Sequence, residues 1–373
     1  MRVGIDVGPI TRVRTGVGNY CYYLLKHLVE IAEDCEMVGF ASGTGPIDLA
    51  ELRGKIRARS IRIPTRILYK SWSWFRFPQI ETLIGAVDVY HATNYFLPPV
   101  KRARRVVTIH DLAFLAIPER CSPKIVGPFS RYIHRFAQDA DAILAYSQST
   151  KDDIVKFLAA AAEKVVVAPM AVDENFRPVS RDRAVEVLKR RFDIEPPFLL
   201  FVSTLEPRKN VPTLLRAFHR LAKDIPHRLV LVGSVGWKAD EIFETIARLH
   251  LENRIVRLGF VPHLELPVFY GAADAFVFPT CYEGFGLPLL EALACGCPVV
   301  TAANSSVPEV CGDAAQYVDA MDDEGLASAV RRVLEDEGLR AKMVASGHAH
   351  AAKFSWKTCA RSTLDLYRSL AQC

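Results

Sequence analysis

Apolar and polar positions follow two rhythms along the chain. Short apolar or β-branched runs at 3–7, 37–40, 88–92, 106–109 and 142–145 have the length of strands. Between the first two, residues 19–33 place Tyr20, Tyr23, Leu24, His27 and Leu28 at three- and four-residue spacing, one face of a helix. Strands alternating with such stretches predict a doubly wound α/β domain with a mostly parallel sheet. The pattern restarts at 198–202 and continues at 229–232, 255–258, 275–278 and 298–300. The break between the two series contains Pro169, Asp173, Asn175 and Pro178, and Glu195-Pro196-Pro197 leads into the new strand. We therefore expect domains at 1–175 and 176–355, two doubly wound folds facing each other across a cleft. Ligands of such folds sit at the carboxyl ends of the strands. In the tail, Leu364, Tyr367 and Leu370 share a helical face. A helix over 356–373 is expected to pack back on the first domain.

Composition narrows the class. With 373 residues, half of them hydrophobic and 24% charged, the chain is globular and has room for two cores. Its longest apolar runs fall short of the roughly 20 residues that span a bilayer. The polar start, Met1-Arg2-Val3-Gly4-Ile5-Asp6, does not read as a signal peptide, so a cytoplasmic location is expected. Nine cysteines include no Cys-x-x-Cys pair, and Cys295-Gly296-Cys297 reads as packed residues in a reducing compartment. The net charge of +5 is concentrated, because 53–105 holds twelve Lys/Arg against Glu81 and Asp88.

Chemistry concentrates at predicted strand ends. After 275–278 comes Pro279-Thr280-Cys281-Tyr282-Glu283-Gly284-Phe285-Gly286-Leu287-Pro288-Leu289-Leu290-Glu291. A glycine turn here opens a helix, with Pro288 suited to its first position. The turn and helix amides offer donors to an anion. Glu283 and Glu291 suit hydrogen bonds from sugar and ribose hydroxyls. After 198–202 comes Ser203-Thr204-Leu205-Glu206-Pro207-Arg208-Lys209-Asn210, whose adjacent cations could neutralise a diphosphate. Gly16-Val17-Gly18 is misplaced for a dinucleotide fingerprint: it is not directly on the strand, and Cys21 occupies the third glycine position. A glycine loop near a substrate's phosphates fits better. His110-Asp111 ends a strand and points at the cleft, and His91 is a weaker candidate of the same kind. Asp139-Ala140-Asp141 has metal-motif spacing but precedes its strand, so it reads as a solvated helix end. No His/Cys cluster has metal-ligand spacing, and no metal is expected.

Together these segments resemble the retaining glycosyltransferases of family four, whose GT-B fold pairs two Rossmann-like domains. The resemblance rests on Glu283 and Glu291 with seven residues between them, Gly16-Val17-Gly18-Asn19-Tyr20, His110-Asp111-Leu112, Leu205-Glu206-Pro207-Arg208-Lys209-Asn210, Val307-Pro308-Glu309-Val310-Cys311-Gly312-Asp313 and Phe354-Ser355-Trp356. It implies that Glu291 holds the donor's ribose. It also implies that Glu283, with the amides of Phe285, Gly286 and Leu287, meets the donor sugar and phosphates. Arg208 and Lys209 would stabilise the departing diphosphate, with Gly16, Gly18 and Ser203 near the donor. His110 would hydrogen-bond the transferred sugar. One departure is Ser203-Thr204 where many relatives have Gly-Arg; Arg208 is the replacement at hand.

The resemblance implies a metal-independent hexosyltransferase with no cofactor beyond its donor, a nucleotide diphosphate sugar, giving an α-linked product. These motif versions are similar to those of bacterial mannosyltransferases of polysaccharide or O-antigen assembly. That favours GDP-mannose, with UDP-glucose, UDP-N-acetylglucosamine and dTDP-rhamnose open. A glycan acceptor, lipid-linked, is expected. Ile67-Leu68-Tyr69-Lys70-Ser71-Trp72-Ser73-Trp74-Phe75-Arg76-Phe77, with Lys101-Arg102-Ala103-Arg104-Arg105, suits an anionic membrane surface, placing the protein peripherally on the inner face of the membrane. Nucleic acid is not an expected partner. Two other classes stay open: an NAD(P)-dependent oxidoreductase on a Rossmann fold, and a non-catalytic binder using the basic surface.

Overall fold

The first series of runs forms β1 (Arg2–Asp6), β2 (Glu36–Ser42), β3 (Arg57–Ile61), β4 (Val89–Ala92), β5 (Arg104–Thr108), β6 (Ala142–Ala145) and β7 (Val165–Val167). All pair in parallel, in the order β3-β2-β1-β4-β5-β6-β7. The second forms β8 (Phe198–Val202), β9 (Arg228–Val232), β10 (Ile255–Leu258), β11 (Ala275–Phe278), β12 (Val299–Ala302) and β13 (Ala315–Val318), ordered β10-β9-β8-β11-β12-β13 and again parallel. This computed structural model describes residues 1–11, 14, 16–43, 45, 47–52 and 54–372. Thr15, directly before the Gly16-Val17-Gly18 loop, and Arg53 and Cys373, within segments singled out above, lie outside the described residues.

Two compact units result, Met1–Ala116 with Pro123–Met170 and Ser355–Cys373, and Ile117–Ser122 with Ala171–Phe354. In each unit the strand order reverses once, between β1 and β4 and between β8 and β11. Such a reversal point is where open parallel sheets bind ligands. The central strands are continuous apolar runs because helices cover both faces: every residue of β8 and of β11 is buried. The C-terminal helix Trp356–Gln372 belongs to the first unit and packs on the helix Gly16–Ile31, with Trp356 stacked on Tyr23 at 5.4 Å.

Three strands escape the sequence pattern. β3 reads Arg-Ala-Arg-Ser-Ile and is almost entirely exposed on the sheet edge, so it has no apolar face to announce it. Charged side chains are a common defence of such edges. β7 has only three residues, and β13 is partly exposed.

The basic stretch is also less free than its composition suggests. Glu81 accepts the backbone N–H groups of Lys101, Arg102 and Ala103. Arg105 forks onto Asp141 through two 3.0 Å bonds, and Arg76 reaches Asp139 at 3.1 Å. The Asp139-Ala140-Asp141 segment, expected to be solvated, is thus ion-paired. The two tryptophans of the aromatic segment part company. Trp72 is buried and donates Nε1–H to the Pro78 carbonyl, whereas Trp74 is 70% exposed.

Candidate active site

In the second unit the loops after β8 and β11 flank the reversal point. The β11 chain leaves through Pro279 and turns at Gly286, whose φ of +99° is a left-handed conformation that suits glycine. The helix Leu287–Cys295 starts immediately after it. Pro288 takes its second position rather than the first, where its missing N–H is equally harmless. The β8 chain leaves through Ser203, whose N–H is held by the Val232 carbonyl at 2.9 Å. It then makes a single short turn, Pro207–Lys209, and this turn is tied to the β11 loop by the Cys281 N–H bonding the Arg208 carbonyl.

Between these loops lies a cluster of four charges. Lys209 Nζ donates to Glu283 Oε1 at 2.6 Å, and Arg208 reaches Glu283 Oε2 at 3.2 Å. The other guanidinium nitrogen of Arg208 sits 3.0 Å from Glu206. Glu206, Lys209 and Glu283 are all buried. Burial would raise Glu283, but Lys209 and Arg208 hold its carboxyl below the ordinary value. Burial and the neighbouring Arg208 charge lower Lys209, against the pull of Glu283 and Glu206. Glu206 is raised by burial despite both cations.

Further polar groups fix Glu283 from sides that sequence reasoning missed. Thr280 donates to Oε1 at 2.7 Å, and the Glu283 N–H donates to Ser305 Oγ at 2.8 Å. Ser306 Oγ–H meets the carbonyls of Glu283 and Phe285. Ser305 and Ser306 belong to the loop after β12, so the signal was a polar Asn304-Ser305-Ser306 step directly behind an apolar strand. Arg120, from 117–122, donates to the Pro207 carbonyl beside the cluster. Phe285 is buried against Phe354, with ring centroids 5.7 Å apart, while Leu287 is partly exposed at the helix start.

Glu291, one turn further along, is buried and held separately. It accepts from Tyr270 OH at 2.9 Å, and its other oxygen lies 3.0 Å from His263 Nε2. His263 follows β10 and was invisible to the motif reading. A carboxylate has about four acceptor positions, so these partners leave capacity for ligand hydroxyls.

The first unit's strand ends differ in kind. His91 Nδ1 bonds Tyr367 OH at 2.6 Å and its Nε2 bonds Thr108 Oγ1 at 2.7 Å, making it a satisfied core histidine. Thr108 also meets Tyr20 OH at 3.0 Å. His110 Nδ1 bonds Tyr146 OH, and its Nε2 is buried beside the Thr93 backbone. Burial drives His110 down to about 3, with the Thr93 backbone acting the other way, so the ring is neutral near pH 7. Gly16 opens its helix with free space where a side chain would start. Gly18 is a packing glycine, since a Cβ there would stand 2.7 Å from the Pro9 carbonyl.

Comparison with known proteins agrees with this fold. A family model for glycosyl transferases group 1 matches residues 184–350, and one for glycosyltransferase family 4 matches 14–176. The O-antigen chain mannosyltransferase B of Escherichia coli is 31% identical over 391 residues, 99% of this chain and all of that protein. Among solved structures, sucrose-phosphate synthase from Thermosynechococcus elongatus aligns with a TM-score of 0.79 at 22% identity, covering 99% of both chains. The Anabaena protein HepE, in complex with UDP and glucose, aligns at 0.76 with 20% identity, over 99% of this chain and 100% of that one. At such identities the structures speak for the fold alone.

Proposed function

Because the chain belongs to the GT-B glycosyltransferases of family four, we propose that it moves mannose from GDP-mannose to a lipid-linked glycan acceptor, with retention and without a metal. The observation that carries this reading is the pairing of buried Lys209 with half-buried Arg208 beside a helix N-terminus at the sheet's reversal point. Bond breaking builds negative charge on the leaving diphosphate. Preorganised cations and helix amides stabilise that charge without reorganising. Lys209 is held by Glu283 and lies 5.2 Å from the Phe278 ring centroid, so it is fixed before any ligand arrives. In this reading Glu291 accepts the ribose hydroxyls. In the first unit His110, neutral near pH 7, is the residue that hydrogen-bonds the transferred sugar. Full-length similarity to an O-antigen mannosyltransferase supports mannose as the transferred sugar.

The oxidoreductase and non-catalytic readings give way to the family assignment. Among the described residues no helix is long and apolar enough to cross a membrane. Peripheral association instead uses the outer face of the helix Thr65–Trp74 and the residues after it, where Ile67, Trp74, Phe75 and Phe77 are exposed. The deciding experiment offers GDP-mannose, UDP-glucose, UDP-N-acetylglucosamine and dTDP-rhamnose in parallel, with a lipid-linked acceptor and with or without EDTA. Transfer from GDP-mannose alone, an α-anomeric product by NMR and unchanged rates in EDTA are expected. Transfer from another donor, inversion, or activity restored only by Mn²⁺ would each overturn the corresponding part.

A further inference from the structure

The inner face of that same aromatic helix lines a cavity of about 640 Å³ within the first unit. Its floor is stacked: Tyr69 and Phe96 lie face to face with centroids 3.8 Å apart, and Phe96 packs on Phe136 at 4.7 Å. One wall is Tyr95, which stands edge-on to the His110 ring at 5.0 Å. The charged lining residues are Arg66, Lys70 and Arg131, all exposed. Unlike Arg76 and Arg105, which pair with Asp139 and Asp141, these three enter no ion pair among the described residues. Among the described residues lining the cavity none is a carboxylate or an amide.

This lining selects a ligand chemistry. A sugar ring brings many hydroxyl donors, and sites for it supply carboxylate and amide acceptors; this cavity supplies neither. An aromatic floor with an all-cationic edge complements a hydrocarbon chain that ends in a phosphate. We propose that the cavity binds a lipid phosphate, its hydrocarbon against Tyr69, Phe96 and Phe136 and its phosphate among Arg66, Lys70 and Arg131. Taking that lipid to be the acceptor's anchor rests on the function proposed above; the binding itself does not. The position beside His110, through Tyr95, sets the anchor next to the histidine assigned to the sugar.

The test is calorimetric titration of the intact protein with dodecyl phosphate below its micellar concentration, so that no membrane surface is present. Dodecyl maltoside, inorganic phosphate and phosphatidylglycerol vesicles serve as comparisons. Dodecyl phosphate should bind, and Lys70→Glu and Arg131→Glu, both at exposed positions, should each weaken it by roughly tenfold. Trp74→Ser should weaken vesicle binding and leave dodecyl phosphate unchanged. Vesicle binding without binding of the monomeric amphiphile would overturn the cavity and leave only a membrane surface. Equal affinity for dodecyl maltoside would remove the phosphate's role, and equal affinity for inorganic phosphate the hydrocarbon's. A thermal-shift measurement with GDP separates the two proposals, because dodecyl phosphate binding without any GDP response would sink the donor assignment and leave the cavity standing.

Discussion

The carboxyl ends of the two sheets bury polar groups by opposite means. In the first unit the histidine network is neutral: Tyr367, His91, Thr108 and Tyr20 form one hydrogen-bonded chain, and Tyr146 bonds His110. In the second they are charged: buried Glu206, Lys209 and Glu283 are compensated among themselves and by half-buried Arg208. A neutral network holds shape at little electrostatic cost and suits a surface that only positions a substrate. A charged cluster is expensive to bury, and removing one member strands the others. On the proposed function, its place at the reversal point is where the charge of the leaving group would build.

The largest effect should come from breaking the charged cluster. Lys209→Ala should lower kcat by about 10²-fold or more, as loss of a preorganised electrostatic stabiliser does. It should also lower the melting temperature, because Glu283 loses its shortest partner. Adding Glu283→Gln should recover part of that stability and none of the turnover. Near-normal steady-state turnover in Lys209→Ala would show that the cluster is structural, like the network in the first unit.

The two histidines offer the next contrast. His91→Ala takes a partner from Tyr367 and one of two from Thr108, and should cost about 2–3 kcal/mol in denaturant melts. Its kcat per folded molecule should stay near the parent's. His110→Ala should also cost stability, since Tyr146 loses its bond to the ring, but unlike His91→Ala it should lower kcat/KM per folded molecule by roughly tenfold, the loss of about one hydrogen bond. If both variants lose stability and neither loses turnover, His110 belongs to the core as His91 does.

Acid should expose the cost of keeping those rings neutral. Burial lowers His91 and His110 alike to about 3. The unfolded chain therefore binds more protons below the ordinary histidine value, so stability is full above about pH 6.5 and falls as pH drops towards 3. At pH 5.5 each ring should cost about 1 kcal/mol. Asp6 works in the opposite direction, because burial raises it to about 6 and the folded state gains from its protonation. Asp6→Asn should steepen the acid loss in stability measured between pH 7 and 5. An acid profile that ignores both histidines would mean they are hydrated rather than sealed.

Glu291→Gln should give the smallest effect, a several-fold rise in donor KM with kcat nearly unchanged, because a ribose contact is made equally in ground and transition states. A fall in kcat with constant KM would move Glu291 into the charge-handling part of the site.

The strongest strands were legible because burial on both faces leaves continuous apolar runs, as in Phe198–Val202. Arg57–Ile61 was not, since an exposed edge has no apolar period to read. The motif resemblance to GT-B glycosyltransferases is borne out by the family models and the full-length relative. Glu283, Arg208 and Lys209 could be singled out because each follows a recognisable strand. Their supports could not. Ser305, Ser306, His263 and Tyr270 reach the site from other loops and helices, and only the folded chain says which distant polar residues converge. Trp72 and Trp74 show the same limit at short range, where two residues of spacing put one ring inside and one outside.

The balance of two carboxylates against two cations has a consequence for an enzyme that must turn over many times. An unpaired Arg–Lys couple would behave as a trap, filling with the phosphate and nucleotides that surround it and surrendering product slowly. With Glu206 and Glu283 as resident counterions, the cluster of the proposed donor site would work as an ion exchanger. On that proposal an arriving diphosphate would displace interactions already made, and a departing one would be replaced by them. Discrimination would then fall to ligands that also occupy Glu291 and the helix N-terminus at once, and simple anions would be left without sufficient reason to stay.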